Sequence, residues 1–205
     1  MSRYTEPRVK VMRALGVDLP GLSRKSMQPR PQPPGQHGTK KNSSRKSEFG
    51  LQLMEKQKLR YNYGLTEKQL RRIVGEAKRL RGASGDKIVE LLERRFDNLV
   101  FRAGFAPTIP AARQMISHGH FELNGKRATI ASIRVRVGDS FGPTENGKKL
   151  DLLRSTLPDP ALERAAWIAL DEANQVARLT SLPEADAAPF PLDLQRVVEY
   201  YAIRN

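Results

Sequence analysis

The chain has 205 residues, enough for one domain or two small ones, and 39% of them are hydrophobic, enough for a packed core. Lys and Arg number 36 against 22 Asp and Glu, a formal charge of +14 that points to a polyanionic partner, nucleic acid or an anionic membrane. Cysteine is absent, which excludes disulfides, thiolate catalysis and cysteine-based zinc sites.

The longest uncharged run, AGFAPTIPAA (103–112), is too short to span a bilayer and carries two prolines. Arg3, Glu6, Arg8 and Lys10 interrupt any signal-peptide pattern, so the expectation is a soluble protein of a reducing compartment. The charge is uneven. Residues 1–136 hold 29 basic and 11 acidic residues, whereas 137–205 hold 7 and 11. An anion-binding surface therefore belongs to the first two thirds of the chain.

Residues 1–46 read as a basic arm. PRPQPPGQHG (29–38) resists regular structure, and KKNSSRK (40–46) ends the segment with Lys40, Lys41, Arg45 and Lys46. A flexible solubilising tail is the plain reading; apolar MRALG (12–16) and the stiff Pro-Gly stretch point instead to an arm ordered by its partner. Helical spacing follows in LQLMEKQKLRYNYG (51–64), with Leu51, Met54, Lys58, Leu59 and Tyr61 on its stripe. In TEKQLRRIVGEAKRLRG (66–82), Thr66 and Gln69 fit a capping box, and Leu70, Ile73, Val74, Ala77 and Leu80 form a buried stripe. A third helix is expected from Asp86 through IVELLERRFDNLVFRA to Gly104.

Thr108 should cap a short helix, PAARQMISH (110–118), with Ala112, Met115 and Ile116 inward, Arg113 and Ser117 outward and Gly119 as its stop. FEL-NG-KRAT then reads as a hairpin, because Asn-Gly supplies the positive φ of a two-residue turn. IRVRVGDSFG (133–142) alternates like a strand, AAWIALDEANQVARLTSL (165–182) like two strands around 172–175, and LDLQRVVEYY (192–201) like a closing helix.

Arg95, Asn98 and Arg102 share one flank of the expected third helix, Arg113, Gln114, Ser117 and His118 are exposed on the next, and His120, Asn124, Lys126 and Arg127 belong to the hairpin. Packed through their apolar stripes, these elements would bring the set to one surface. Guanidiniums suit phosphates, and imidazoles and amides reach 2′-hydroxyls and splayed bases. Few aromatics stand among the cations, which favours folded RNA over stacked single strands. The competing readings are a solvated positive face and a metal held by His118 and His120. The second lacks cysteines and a nearby carboxylate pair; Asp97 and Glu122 are candidates, but Asp97 is expected to cap a helix or to pair with a neighbouring arginine. No nucleophile elbow, phosphate-binding glycine loop or isolated carboxylate pair marks a catalytic site, so no catalytic residue, metal or cofactor is expected.

LLERRFDNLVFRAGFAPTIPAARQMISHGHFELNGKRATIASIRVRVGD (91–139) resembles the small RNA-binding module named after ribosomal protein S4, a module that also occurs in RNA-modifying enzymes and synthetases. An RNA-modifying enzyme targeted by this module is the alternative, but the 66 residues after it are too few for a catalytic domain. The flanks MSRYTEPRVKVMRALG, PPGQHG, EFGLQLMEKQKLRYNYGLTEKQLRRI and LQRVVEYY resemble the bacterial-type S4 family of small-subunit ribosomal proteins, nearly end to end.

The resemblance implies an α+β protein: a helical domain over 47–96 completed by 190–205, an inserted mixed domain with an antiparallel sheet over 97–189, and the arm over 1–46. It implies a primary ribosomal-RNA-binding protein that binds the 5′ domain of the small-subunit RNA, nucleates assembly of the subunit body, contacts ribosomal protein S5 near the mRNA entry path and influences decoding accuracy. It implies no membrane and no small-molecule substrate, and it leaves bacterial cytoplasm and an organelle unseparated. Arg95, Arg102, Arg113, His118, His120, Asn124 and Lys126 match the family's RNA-facing positions, and Lys40, Lys41, Arg45 and Lys46 its basic segment near the mRNA entrance. Some members fold the arm around a cysteine-held zinc; here Val9, Met12 and Met27 stand in that region.

Overall fold

A computed structural model describes residues 4–36, 38 and 47–202. The fold is α+β and divides into two compact units, one of Met1–Ile88 with Ala188–Asn205 and one of Val89–Ala187. Lys40, Lys41, Arg45 and Lys46 lie outside the described residues.

The first unit is helical. Its helices are α1 (Arg8–Leu15), α2 (Glu48–Asn62), α3 (Glu67–Ala77), the first half of α4 (Ser84–Glu93) and, from the other end of the chain, α9 (Leu194–Ala202). Ser47 caps α2 through Gly50, and the Thr66–Gln69 capping box of α3 forms in both directions. Leu70, Ile73, Val74 and Ala77 are buried as their spacing requires. Leu80 is exposed, contrary to expectation. Arg79 and Leu80 bond back only three residues, and this tightened turn takes Leu80 off the buried stripe.

On α2 the buried positions are Gln52, Lys56, Leu59 and Asn62, not the expected Leu51, Met54 and Tyr61. Polar groups can occupy that face because each meets a partner. Lys56 donates to Glu67 at 2.7 Å, Tyr201 of α9 donates to the other Glu67 oxygen at 2.7 Å, and Gln52 donates to Glu199 at 3.2 Å. Burial alone would raise the Glu67 carboxyl, but the bonds from Lys56 and Tyr201 hold it below the usual carboxylate range. Burial and the Glu67 carboxylate together push the Tyr201 phenol up. These contacts fix α9 against α2 and α3, a pairing that periodicity alone does not give.

The arm also departs from expectation. Residues 1–46 were expected to order only on a partner, yet Val11, Met12, Val17, Leu19 and Leu22 are buried within the first unit. Asn62 accepts from the Gly21 amide at 2.9 Å, and Arg8 donates to the Leu22 carbonyl at 3.1 Å. The run VMRALGVDLPGL (11–22), of which MRALG already stands out in the sequence, supplies enough apolar side chains to pack.

The second unit sets α5 (Phe96–Arg102) and α6 (Ile109–Ser117) on a five-stranded antiparallel sheet. Its strands are β1 (Phe121–Leu123), β2 (Lys126–Ala128), β3 (Ser140–Pro143), β4 (Ile168–Asp171) and β5 (Val176–Leu179), in the order β2-β1-β3-β5-β4. Phe96 and Phe105 from the helical layer meet Phe121 and Phe141 of the sheet edge-on or tilted, with centroids 5.8–6.4 Å apart. Between β3 and β4 the short helices α7 (Glu145–Lys148) and α8 (Asp151–Thr156) appear, which the sequence reading did not anticipate.

The expected third helix is broken. It divides into α4 and α5 at Arg94–Arg95, where Arg95 is extended and bridges Arg134. The Phe96 and Asp97 amides donate to the Ile133 and Ala131 carbonyls, and Val135 donates to the Arg94 carbonyl. Residues 131–135 thus pair with this break, and of the strand expected over 133–142 only the part from Ser140 joins the sheet.

If the arm is part of the core, Leu19→Ala should destabilise the protein by about 2–5 kcal/mol, as for other buried leucines. Denaturant unfolding checks this; a change below about 0.5 kcal/mol would mean that the arm does not pack.

Candidate nucleic-acid interface

The α6 end and the β1–β2 hairpin form the exposed part of the expected surface. Thr108 caps α6 through the Ala111 amide. At the other end the Gly119 amide bonds to Ile116 and the His120 amide to Met115, with Gly119 at φ +77°, the pattern that closes a helix through a left-handed residue. Arg127 crosses above Gly119 and donates to the His118 carbonyl at 3.2 Å, so a Cβ at residue 119 would collide with its guanidinium. The reversal leaves His118 and His120 on either side of the glycine with ring centroids 6.1 Å apart. Gln114, Ser117, His118, Asn124, Lys126 and Arg127 are exposed, and His120 is half-buried.

Asn124 has a structural task as well. It takes positive φ in the Asn-Gly turn, donates to Asp139 at 2.9 Å and accepts from the Ser140 amide at 2.9 Å. Among the described residues no group of three or more His, Asp or Glu side chains is arranged to hold a metal ion. Nor is any described helix long and apolar enough to cross a membrane.

Arg95, Arg102 and Arg113 differ from the solvated arginines expected. Arg95 and Arg102 are buried, and only 24% of the Arg113 side chain is accessible. Their counter-charges are the fully buried Asp97 and Glu93. Arg95 binds both Asp97 oxygens at 3.1 and 2.9 Å, Arg113 reaches Asp97 Oδ2 at 3.0 and 2.6 Å from Nε and Nη2, and the Asn98 amide adds a bond to Oδ1. Glu93 accepts from Asn98 Nδ2 at 2.9 Å and pairs with Arg102 at 3.4 Å. Arg102 also stacks over Trp167, its guanidinium carbon 5.1 Å from the ring centroid. Charges removed from water persist only when so paired. Spacing places Arg95 and Arg102 on one flank and Arg113 on the next helix; it brings Asp97 to a neighbouring arginine but not to Arg113, which meets it across sixteen residues.

Residues 3–93 match the ribosomal protein S4/S9 N-terminal domain and residues 94–141 match the S4 domain. A protein of Methylobacillus flagellatus named small ribosomal subunit protein uS4 is 57% identical over 204 residues, spanning all of both chains. The chain belongs to the ribosomal protein S4 family. A uS4B protein of Nitrosomonas europaea is 54% identical, again across both whole chains. A shorter uS4-like ribosomal protein of Azoarcus is 80% identical over 108 residues, 53% of this chain and 94% of its own length. The S4 family is a structural, RNA-binding family and not an enzymatic one. Its S4 domain, as matched here, runs from the α4–α5 break to the start of β3 and contains the whole α6–hairpin surface.

Asp97→Ala leaves two guanidiniums without their shared acceptor and should cost about 3–5 kcal/mol in denaturant unfolding. A loss below about 1 kcal/mol would contradict the buried pairing.

Proposed function

We propose that this S4-family chain is a primary ribosomal-RNA-binding protein of the small subunit, which binds the 5′ domain of the small-subunit RNA and nucleates assembly of the subunit body. Full-length similarity to proteins named small ribosomal subunit protein uS4 carries the reading. The site chemistry supports it. Gln114, His118, His120, Lys126 and Arg127 present amide, imidazole and cationic groups at one helix end, suited to phosphates and 2′-hydroxyls. Arg95, Arg102 and Arg113 are largely compensated by Asp97 and Glu93, a cluster of three cations and two acids, and Arg113 is the most accessible of the three. Asn124 shapes the hairpin and offers its remaining hydrogen-bonding capacity to RNA.

Lys40, Lys41, Arg45 and Lys46 are assigned to the mRNA entry region on the family resemblance, together with contact to ribosomal protein S5 and an influence on decoding accuracy. Similarity to bacterial proteins named small ribosomal subunit protein uS4 supports a ribosomal setting in the cytoplasm for this work.

Binding to a small-subunit 5′-domain RNA should weaken steeply with salt. With ~8 phosphates neutralised, log K should fall against log salt with a slope of about −6 to −7. A flat response would contradict an electrostatic interface.

A further inference from the structure

Two Asn-Gly pairs occur in the chain, Asn124-Gly125 and Asn146-Gly147, and they lie in different surroundings. An asparagine before glycine is prone to ring closure, because glycine leaves its own backbone nitrogen unshielded. That nitrogen attacks the asparagine Cγ, gives up its proton and expels the side-chain nitrogen as ammonia. Water then opens the cyclic imide at one carbonyl to give aspartate, or at the other to give isoaspartate. The step consumes water and releases ammonia, with no change of oxidation state.

At the second pair the attacking nitrogen is held. Gly147 is buried in α7, its amide donates to Thr144 Oγ1 at 3.2 Å, and the His120 carbonyl lies where a Cβ of residue 147 would stand. The first pair has none of these restraints. Asn124 and Gly125 are exposed and take positive φ, +50° and +71°, as the two central residues of the hairpin turn. The Gly125 amide donates to no group among the described residues, and nothing lies within 4 Å of where its Cβ would be. What restrains Asn124 is a side-chain clamp on the start of β3. Its Nδ2 donates to Asp139 at 2.9 Å and its Oδ1 accepts from the Ser140 amide at 2.9 Å. Ring closure therefore waits on the release of two side-chain bonds at an exposed turn, where local opening costs little.

Both products disturb the hairpin. Aspartate puts a carboxylate oxygen where Nδ2 donates to Asp139, so a hydrogen bond becomes a repulsion between like charges. Isoaspartate carries the main chain through the side-chain methylene and lengthens a turn whose size sets the pairing of Leu123 with Lys126. Either one adds a negative charge beside the exposed Lys126 and Arg127. We propose that Asn124 is a site of spontaneous deamidation, gated by its clamp on Asp139, and that the modification turns the hairpin into a weaker RNA-binding form. The effect on binding rests on the ribosomal-RNA-binding reading above; the modification itself does not.

The test incubates the full chain at mildly alkaline pH, where a backbone amide loses its proton more readily, and follows peptide masses over time. The mass gain of an amide-to-acid change should accumulate at Asn124 several-fold faster than at Asn146. Asp139→Ala, with its fold checked by a melting curve, should speed the change at Asn124 several-fold further and leave Asn146 at its wild-type rate. Conversion of Asn124 no faster than that of Asn146 would overturn the proposal, and an unchanged rate in Asp139→Ala would overturn the gating. Binding to a small-subunit 5′-domain RNA reads the consequence. Asn124→Asp should bind several-fold more weakly than the wild type, whereas Asn146→Asp, with the same change of charge, should bind as the wild type does. Equal weakening by both variants would make net charge the cause and overturn the role of the hairpin, as would wild-type affinity in Asn124→Asp. A wild-type chain that does not bind this RNA overturns the underlying reading and the consequence for binding, while the masses still decide the modification.

Discussion

The Asp97 carboxylate is the contact on which the second unit depends. It is fully buried near the start of α5, where it accepts from the Asn98 amide and from the guanidiniums of Arg95 and Arg113. A buried carboxylate costs several kcal/mol in lost hydration, and only dense charge-assisted bonding offsets that. The arrangement demands an extended Arg95, because a continuous helix would carry its side chain away from a carboxylate two residues on. It therefore accompanies the break between α4 and α5. The break in turn frees backbone groups at 94–97 to pair with 131–135, the segment that follows the hairpin.

One carboxylate thereby joins three parts of the RNA-binding module. Arg113 ties α6 to α5, and α6 delivers His118, Gly119 and His120 to the hairpin. Arg127 returns from the hairpin to the α6 carbonyl end. Glu93 repeats the device one turn earlier, holding Asn98 and Arg102. The exposed groups are therefore mounted on a fixed frame, which limits the ordering cost of binding.

Much of this was legible locally. The Thr66–Gln69 box, the Thr108 cap, the Gly119 stop, the Asn-Gly hairpin and the β4–β5 pair each depend on residues within a few positions, and each formed as their chemistry requires. What escaped was non-local. The periodicity of LLERRFDNLVFRA runs unbroken through Arg95, because the segment that interrupts the helix lies about forty residues downstream. The arginines expected to be solvated are instead buried, in Arg95 and Arg102, or half-buried, in Arg113, against Asp97 and Glu93; of these pairings only that of Asp97 with a neighbouring arginine lies within reach of local spacing. In the arm, an average over 46 residues obscured the few that pack, Val11, Met12, Val17, Leu19 and Leu22. On α2 the buried face is polar, so an apolar stripe could not reveal it.

Hydrogen exchange tests most directly whether Asp97 holds this frame together. In the wild type, the amides of Phe96, Asp97 and Val135 should exchange only through global unfolding, as core amides do. In Asp97→Asn, which keeps the shape but removes the charge, those amides should exchange through a local opening, while α2 amides keep the global rate. Unchanged protection of the three amides in Asp97→Asn would contradict the account.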